Sequence, residues 1–147
     1  MVNAKMSGFR PEMTAEMFNG RSAGHLPGLV GLQILSVTAA GLESRLAVRQ
    51  ELLAPNGYLH AASVIALADT SCGYACVANL PQGASGFTTI ELKTNFLGTT
   101  LEGAICCRAT PAHLGRTTQV WDAVVTVEGT EKKIALFRCT QMVLWPK

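Results

Sequence analysis

Apolar and polar residues alternate over Leu29–Val37 and again over Leu42–Val48, and this two-residue period predicts a pair of strands joined by Ala39-Ala40-Gly41. In the second strand Leu42, Leu46 and Val48 share one side, and Glu43, Arg45 and Arg49 the other. Ahead of the pair, Pro11 opens a short helical stretch with Gly20 just past its end, and Met13, Met17 and Phe18 form its apolar face. Residues before Pro11 read as loose, and Arg21 to Gly28 reads as a loop. Pro55-Asn56-Gly57 is a turn signal. Beyond it the alternation stops. From Ala61 to Asn79 apolar residues occupy every side of a helical projection, the pattern of a helix buried all round.

The period of two returns after a loop at Pro81–Gly86. Phe87–Leu97 is a strand, Gly98 and Gly103 bracket a turn, and Ala104–Pro111 is the next strand. A loop at His113–Arg116 leads to two long strands, Thr117–Val127 and Lys133–Leu144, with Glu128-Gly129-Thr130-Glu131 as a hairpin between them. This order predicts an α+β fold in which one antiparallel sheet curls round one long central helix. Residues 29–147 would form that single domain, behind an N-terminal segment of residues 1–28 carrying the short helix.

One residue breaks the pattern. Between Glu51 and Glu91 the only charged side chain is Asp69, set among Ala, Leu, Ser and Cys in the central helix. An ionised carboxylate is costly to bury without partners, so such a group is paired, proton-shifted or chemically employed. That makes Asp69 the first candidate for chemistry.

Composition sharpens the picture in two respects. The chain is 48% hydrophobic and only 15% charged, which leaves little polar surface for 147 residues and favours an oligomer. A net charge of +2, with scattered Lys and Arg, carries no footprint for nucleic acid. The five cysteines have no framework spacing, and with only three histidines the chain offers no set of metal ligands at suitable intervals. Lys5 and Arg10 precede no apolar core of a secretory signal, and Asp69, Gly73 and several hydroxyls make Ala61–Leu80 a core helix rather than a membrane span. A cytoplasmic protein is the expectation.

A Gly-containing loop that enters a helix leaves the first backbone N–H groups pointing outward, where they can hold an anion or polarise a carbonyl. In His60-Ala61-Ala62 the best donor is the Ala61 N–H. Asp69 lies eight residues further, a little over two turns along the same helix. The two cannot meet on one short substrate within one chain. Two-fold packing of a second copy would bring them together.

Asn56-Gly57-x-x-His60 followed by Leu67-Ala68-Asp69-Thr70-x-x-Gly73-Tyr74-Ala75-Cys76 resembles the signature of hotdog-fold acyl-CoA thioesterases, most of all the phenylacetate-degradation (PaaI-like) group. The resemblance continues through Gly86–Leu97 and the Gly115-Arg116 turn, and spans roughly residues 29 to 144. It implies that Asp69 acts on the thioester as general base or nucleophile, and that the Ala61 N–H holds the oxyanion. Asn56 and Thr89 would place the water or substrate, while His60, Phe96 and Arg116 would line the substrate-binding region. It also implies a homotetrameric dimer of dimers with sites at the subunit interface, an acyl-CoA substrate, and no cofactor beyond the CoA that the substrate carries. Two departures are visible. His60-Ala61-Ala62 stands where the family has His-Gly-Gly, which places a methyl beside the carbonyl site. Asn56 lies four residues before the His rather than six.

Plainer readings exist for several of these residues. His60 would cap or orient the helix start, Asn56 would serve a turn, and Thr89 suits any strand. Glu91 reads as a strand or interface charge, and His113 as part of a solvated basic loop. On the same fold, an enoyl-CoA hydratase or dehydratase and a non-catalytic acyl-CoA-binding protein are the alternatives.

Overall fold

A computed structural model describes residues 8–147. It contains α1 (Ala15–Ser22), α2 (Leu26–Val30), β1 (Leu32–Thr38), β2 (Gly41–Ala47), α3 (Ala61–Ala78), β3 (Gly86–Phe96), β4 (Ala104–Leu114), β5 (Thr118–Val127) and β6 (Lys133–Leu144), with a 3-10 turn at Gln50–Leu52. The six strands form one sheet in the order β1-β2-β4-β5-β6-β3, with every neighbouring pair antiparallel. The sheet wraps α3, which contacts all six strands. This is the sheet curled round one helix that the all-round apolar pattern predicts, and the hotdog fold that the resemblance implied.

α3 has 18 residues and a mean hydropathy of 1.4, enough by length and composition to cross a membrane, yet 56% of it is buried inside the fold. Leu67, Ala68, Ser71, Cys72, Ala75 and Cys76 are all buried against the sheet. The hydroxyl of Ser71 is also satisfied, since it donates to Leu67 O and meets Ser44 Oγ at 2.6 Å. The alternation in β2 places Leu42, Ser44 and Leu46 inside, with Glu43 and Arg45 partly exposed on the outer side.

The N-terminal elements depart from the expectation. α1 begins at Ala15 rather than Pro11, because Thr14 is its cap: the Thr14 hydroxyl accepts from Met17 N at 3.2 Å. Gly20 lies inside α1, not beyond it. α2 occupies part of the expected loop and of the expected first strand, so β1 starts at Leu32. Its start carries Pro27, its end is closed by Gly31 in the left-handed conformation (φ 83°), and Arg49 donates to Val30 O and Leu29 O at 2.6 and 2.8 Å. A partner 19 residues away is invisible to a local period. β4 also outruns its expected end at Pro111 and reaches Leu114, through a register shift between Pro111 and His113 that accommodates a residue without an N–H. Residues 8–10 are docked rather than loose, for Arg10 N donates to Ala78 O at 2.8 Å at the end of α3. Residues 1–7, also read as loose, lie outside the described part.

α1 packs onto the domain. Phe18 is buried and stacks on Tyr74 of α3 with centroids 4.4 Å apart. Asn19 clamps β1: Nδ2 donates to Ile34 O at 2.9 Å, and Oδ1 accepts from Ile34 N at 2.8 Å. Asn19→Ala strips both partners from that backbone position and is expected to destabilise the fold by about 1–3 kcal/mol. The denaturant midpoint should shift accordingly at constant m-value; an unshifted midpoint would show the clamp to be energetically silent.

β3 lies at the edge of the sheet and pairs only with β6. Most of its residues are exposed on both faces, including Ile90, Leu92 and Phe96. A long edge strand with apolar residues and a free row of backbone donors and acceptors is a template for another chain.

Candidate active site

The loop before α3 builds one half of the site. Gly57 takes a left-handed conformation (φ 86°), and Ala54 N donates to Tyr58 O at 2.7 Å while Gly57 N donates to Ala54 O at 2.9 Å. Asn56 Oδ1 accepts from Tyr58 N at 3.1 Å, so this side chain braces its own turn. His60 N donates to Leu52 O at 3.0 Å, and the Ser63 hydroxyl donates to the same carbonyl at 2.8 Å. The first turn of α3 is thereby fixed against the 3-10 turn.

His60 is the cap of α3. Its Nδ1 accepts from Ala62 N at 2.9 Å, and its carbonyl receives Ser63 N at 2.9 Å. That leaves the Ala61 N–H as the outward donor, with no acceptor among the described residues. Ala61 and Ala62 are both exposed. Small side chains and a free amide at a helix start suit a carbonyl oxygen.

Asp69 builds the other half, about 12 Å along the axis from Ala61 at 1.5 Å per residue. Its side chain is partly buried, and its Oδ1 is shielded with no hydrogen-bond partner among the described residues. Burial alone pushes the carboxyl above its ordinary value. Among the described residues no ion pair with Lys, Arg or His offsets that cost.

β3 faces this carboxylate. Asn79 O, just past the end of α3, receives Gln119 Nε2, and the Gln119 row runs through Gln141 to Thr89. Nearer the middle of α3, Cys72 lies against Cys139, whose row runs to Leu92. α3 and β3 are therefore antiparallel. Gly73, one turn after Asp69 on the same helix face, looks at Phe87: a Cβ there would stand 3.1 Å from the ring. Asp69 consequently looks toward the next inward positions of β3, beginning with Thr89. Between Thr89 and Glu91 the ladder shifts register, a bulge beside the carboxylate.

The remaining residues fall elsewhere. Phe96 is at the far end of β3, exposed, opposite Ala135. Arg116 lies in the β4–β5 turn with its guanidinium 4.3 Å over the Trp145 ring, and Trp145 Nε1 donates to Arg116 O at 3.2 Å. That turn is at the C-terminal end of α3, opposite Ala61. One chain thus sets Asp69 on the side of α3 where Gly73 meets Phe87 of β3, and keeps Ala61 two turns away along the helix. A groove of about 710 Å³ runs between Val48–Gly57 and Leu101–Gly103, beside the loop and away from Asp69. Sequence reading passed over Gln119 and Gln141, which are fully buried on the inner face; the available signal was a polar residue in the apolar alternation Phe137, Cys139, Gln141, Val143.

Residues 56–134 match the thioesterase superfamily model. The chain is 30% identical over 111 residues to the 1,4-dihydroxy-2-naphthoyl-CoA hydrolase of Listeria monocytogenes, covering 76% of this chain and 89% of that protein. It is 31% identical over 110 residues to the acyl-coenzyme A thioesterase PaaI of Escherichia coli, covering 74% and 75%. Thioesterase HI1161 from Haemophilus influenzae superposes with a TM-score of 0.85 at 26% identity, covering 95% of this chain and 94% of that one. The family match falls on the stretch that carries the capped helix start, Asp69 and β3, and the chain belongs to the thioesterase superfamily as a hotdog-fold thioester hydrolase.

Proposed function

We propose that this protein hydrolyses an acyl- or aryl-CoA thioester to the free acid and CoA, at a site shared by two copies of the chain. The observation that carries this reading is Asp69, a desolvated carboxylate whose Oδ1 has no partner among the described residues. Acting as base, it takes a proton from a water that attacks the acyl carbon; acting as nucleophile, it attacks that carbon itself, and after the thiolate has left, water hydrolyses the resulting mixed anhydride to the free acid and restores the carboxylate. The Ala61 N–H of the second copy holds the oxyanion. When the tetrahedral species collapses, the C–S bond breaks and the thiolate of CoA leaves and takes up a proton.

The surface of α3 supports the sharing. Ala61, Ala62, Ile65, Ala66, Asp69 and Thr70 are its exposed or partly exposed positions in the N-terminal half, at helical spacing. An antiparallel copy related by a two-fold axis near Ile65 sets one Ala61 against the other Asp69. The free edge of β3 lies alongside and would be covered by the same pairing. Dimers of this kind would associate further into a tetramer. Thr89 holds the water, Phe96 lines the acyl side, and Arg116 stands where phosphates of CoA would pass. His60 serves by capping the amide donor. Asn56 acts through the turn it braces, one step removed from substrate. CoA enters with the substrate, and the chemistry uses no further cofactor. Five free cysteines suit the reducing cytoplasm.

Free-thiol release from a panel of short, long and aromatic acyl-CoAs tests the reading. Rapid release from at least one class is expected. Tight binding without release from every member would remove the hydrolytic assignment and leave a binding protein.

A further inference from the structure

Gln141 buries an amide whose acceptor is left open among the described residues. It has no exposed surface, and it occupies an inward position of β6 between Cys139 and Val143. Its Nε2 donates to Cys139 Sγ at 3.3 Å, but its Oε1 has no partner among the described residues. A buried acceptor without a donor destabilises the fold, and an apolar side chain of the same length would remove that cost. Such a group is explained where a neighbouring donor meets it in the working site.

The neighbours narrow what that is. On the β5 side Gln141 stands opposite Gln119, whose Nε2 donates to Asn79 O at 2.8 Å and whose Oε1 accepts from Trp121 Nε1 at 2.9 Å, and no bond joins the two amides among the described residues. On the β3 side Gln141 stands opposite Thr89, on the same inner face, where directly paired Cβ atoms are about 4.5–5.5 Å apart. The Thr89 hydroxyl makes no hydrogen bond within the described residues, and the β3 bulge begins immediately after it. Thr89 therefore offers Oε1 a hydroxyl from the directly paired position of the neighbouring strand.

We infer that Gln141 is a positioning residue for Thr89: in the assembled site its buried Oε1 accepts the Thr89 hydroxyl hydrogen, which turns the lone pairs of the Thr89 oxygen toward the attacking water. The water then donates one hydrogen to Thr89 Oγ1 and gives its other proton to Asp69 as its oxygen bonds to the acyl carbon. The C–S bond breaks, and the proton held by Asp69 passes to the departing thiolate. Without Gln141 the Thr89 hydroxyl is free to point its hydrogen at the water, which opposes the attack. The inference rests on the thioesterase reading and adds to it the origin of the water's orientation.

The test is a cycle of Gln141→Met and Thr89→Val in the full chain, with Thr89→Ser as a background that keeps the hydroxyl. The readouts are kcat, KM and the thermal midpoint, on an acyl-CoA that the wild type hydrolyses. Gln141→Met is expected to lower kcat about tenfold to a hundredfold, leave KM nearly unchanged and raise the thermal midpoint. In the Thr89→Val background it should cost nothing more, while in the Thr89→Ser background the full loss should remain. Unchanged kcat in Gln141→Met overturns the inference, as do losses that multiply with Thr89→Val. A Gln141→Met chain that fails to fold overturns it as well, because the amide would then be holding the fold. Asp69→Asn run alongside separates the two levels. Wild-type hydrolysis lost in Asp69→Asn but intact in Gln141→Met removes only the role of Gln141, whereas a wild type inactive on every acyl-CoA removes the thioesterase reading beneath it.

Discussion

Asp69→Asn is expected to lower kcat for thioester hydrolysis by about a thousandfold or more while the fold, the oligomer and KM stay close to wild type. The amide keeps the shape of the carboxylate and removes its basicity and its nucleophilicity. The same substitution is expected to stabilise the protein at neutral pH. Burial raises the carboxyl of Asp69 above its ordinary value, with no attractive partner among the described residues to offset it. The folded chain therefore holds this proton more tightly than the unfolded chain does. The corresponding stability is fully present below the unfolded-state value and is lost as pH rises through the folded one. Asp69→Asn avoids that loss, so its advantage in denaturant midpoint should be present at neutral pH and vanish in acid. The acid limb of the wild-type rate profile follows the same ionisation and should lie above the range of an exposed aspartate. A folded Asn variant with near-normal turnover removes Asp69 from the chemistry; one that is no more stable at neutral pH removes the desolvation account.

Asp69 was legible in the sequence because a charge desert surrounds it, and the helix that carries it was legible because its apolar residues respect no face. β6 was legible to the residue, Lys133–Leu144, since its alternation is unbroken and a hairpin turn precedes it. What escaped was set by distant partners. Arg49 secures α2, which does not follow from its own period, and the short helix α1, though expected, is docked on β1 by Asn19 in a way its period does not encode. The placement of β3 beside β6, at the edge, is a matter of sheet order, which alternation does not encode. Asn56 carried the appearance of a site residue and of a turn residue, and its Oδ1 does brace the turn through Tyr58 N. Gln141 looked like one polar residue in a strand, and only its complete burial opposite Thr89 gives it meaning.

Ala61→Pro should remove the oxyanion donor and leave α3 standing. Ala61 is the first residue of the helix, the one position where proline's fixed φ is compatible and its missing N–H breaks no helical bond. The residue before it, His60, already has φ −66° and ψ 136°, the extended conformation that a following proline demands, and Ala61 is exposed, so the ring meets no packed neighbour. The expected loss in kcat is about a hundredfold to a thousandfold with an unchanged thermal midpoint. Mixing then decides where the donor comes from. If each site takes Asp69 from one chain and the Ala61 amide from the other, a mixed pair of Asp69→Asn and Ala61→Pro chains has one site with both defects and one with neither. Unfolding and refolding the two inactive proteins together at equal amounts makes half the pairs mixed, and should restore about a quarter of wild-type activity. If donor and carboxylate act within a single chain, every site in the mixture retains one defect and nothing is recovered. A mixture as inactive as its components would therefore overturn the shared site even while both single variants behaved as expected.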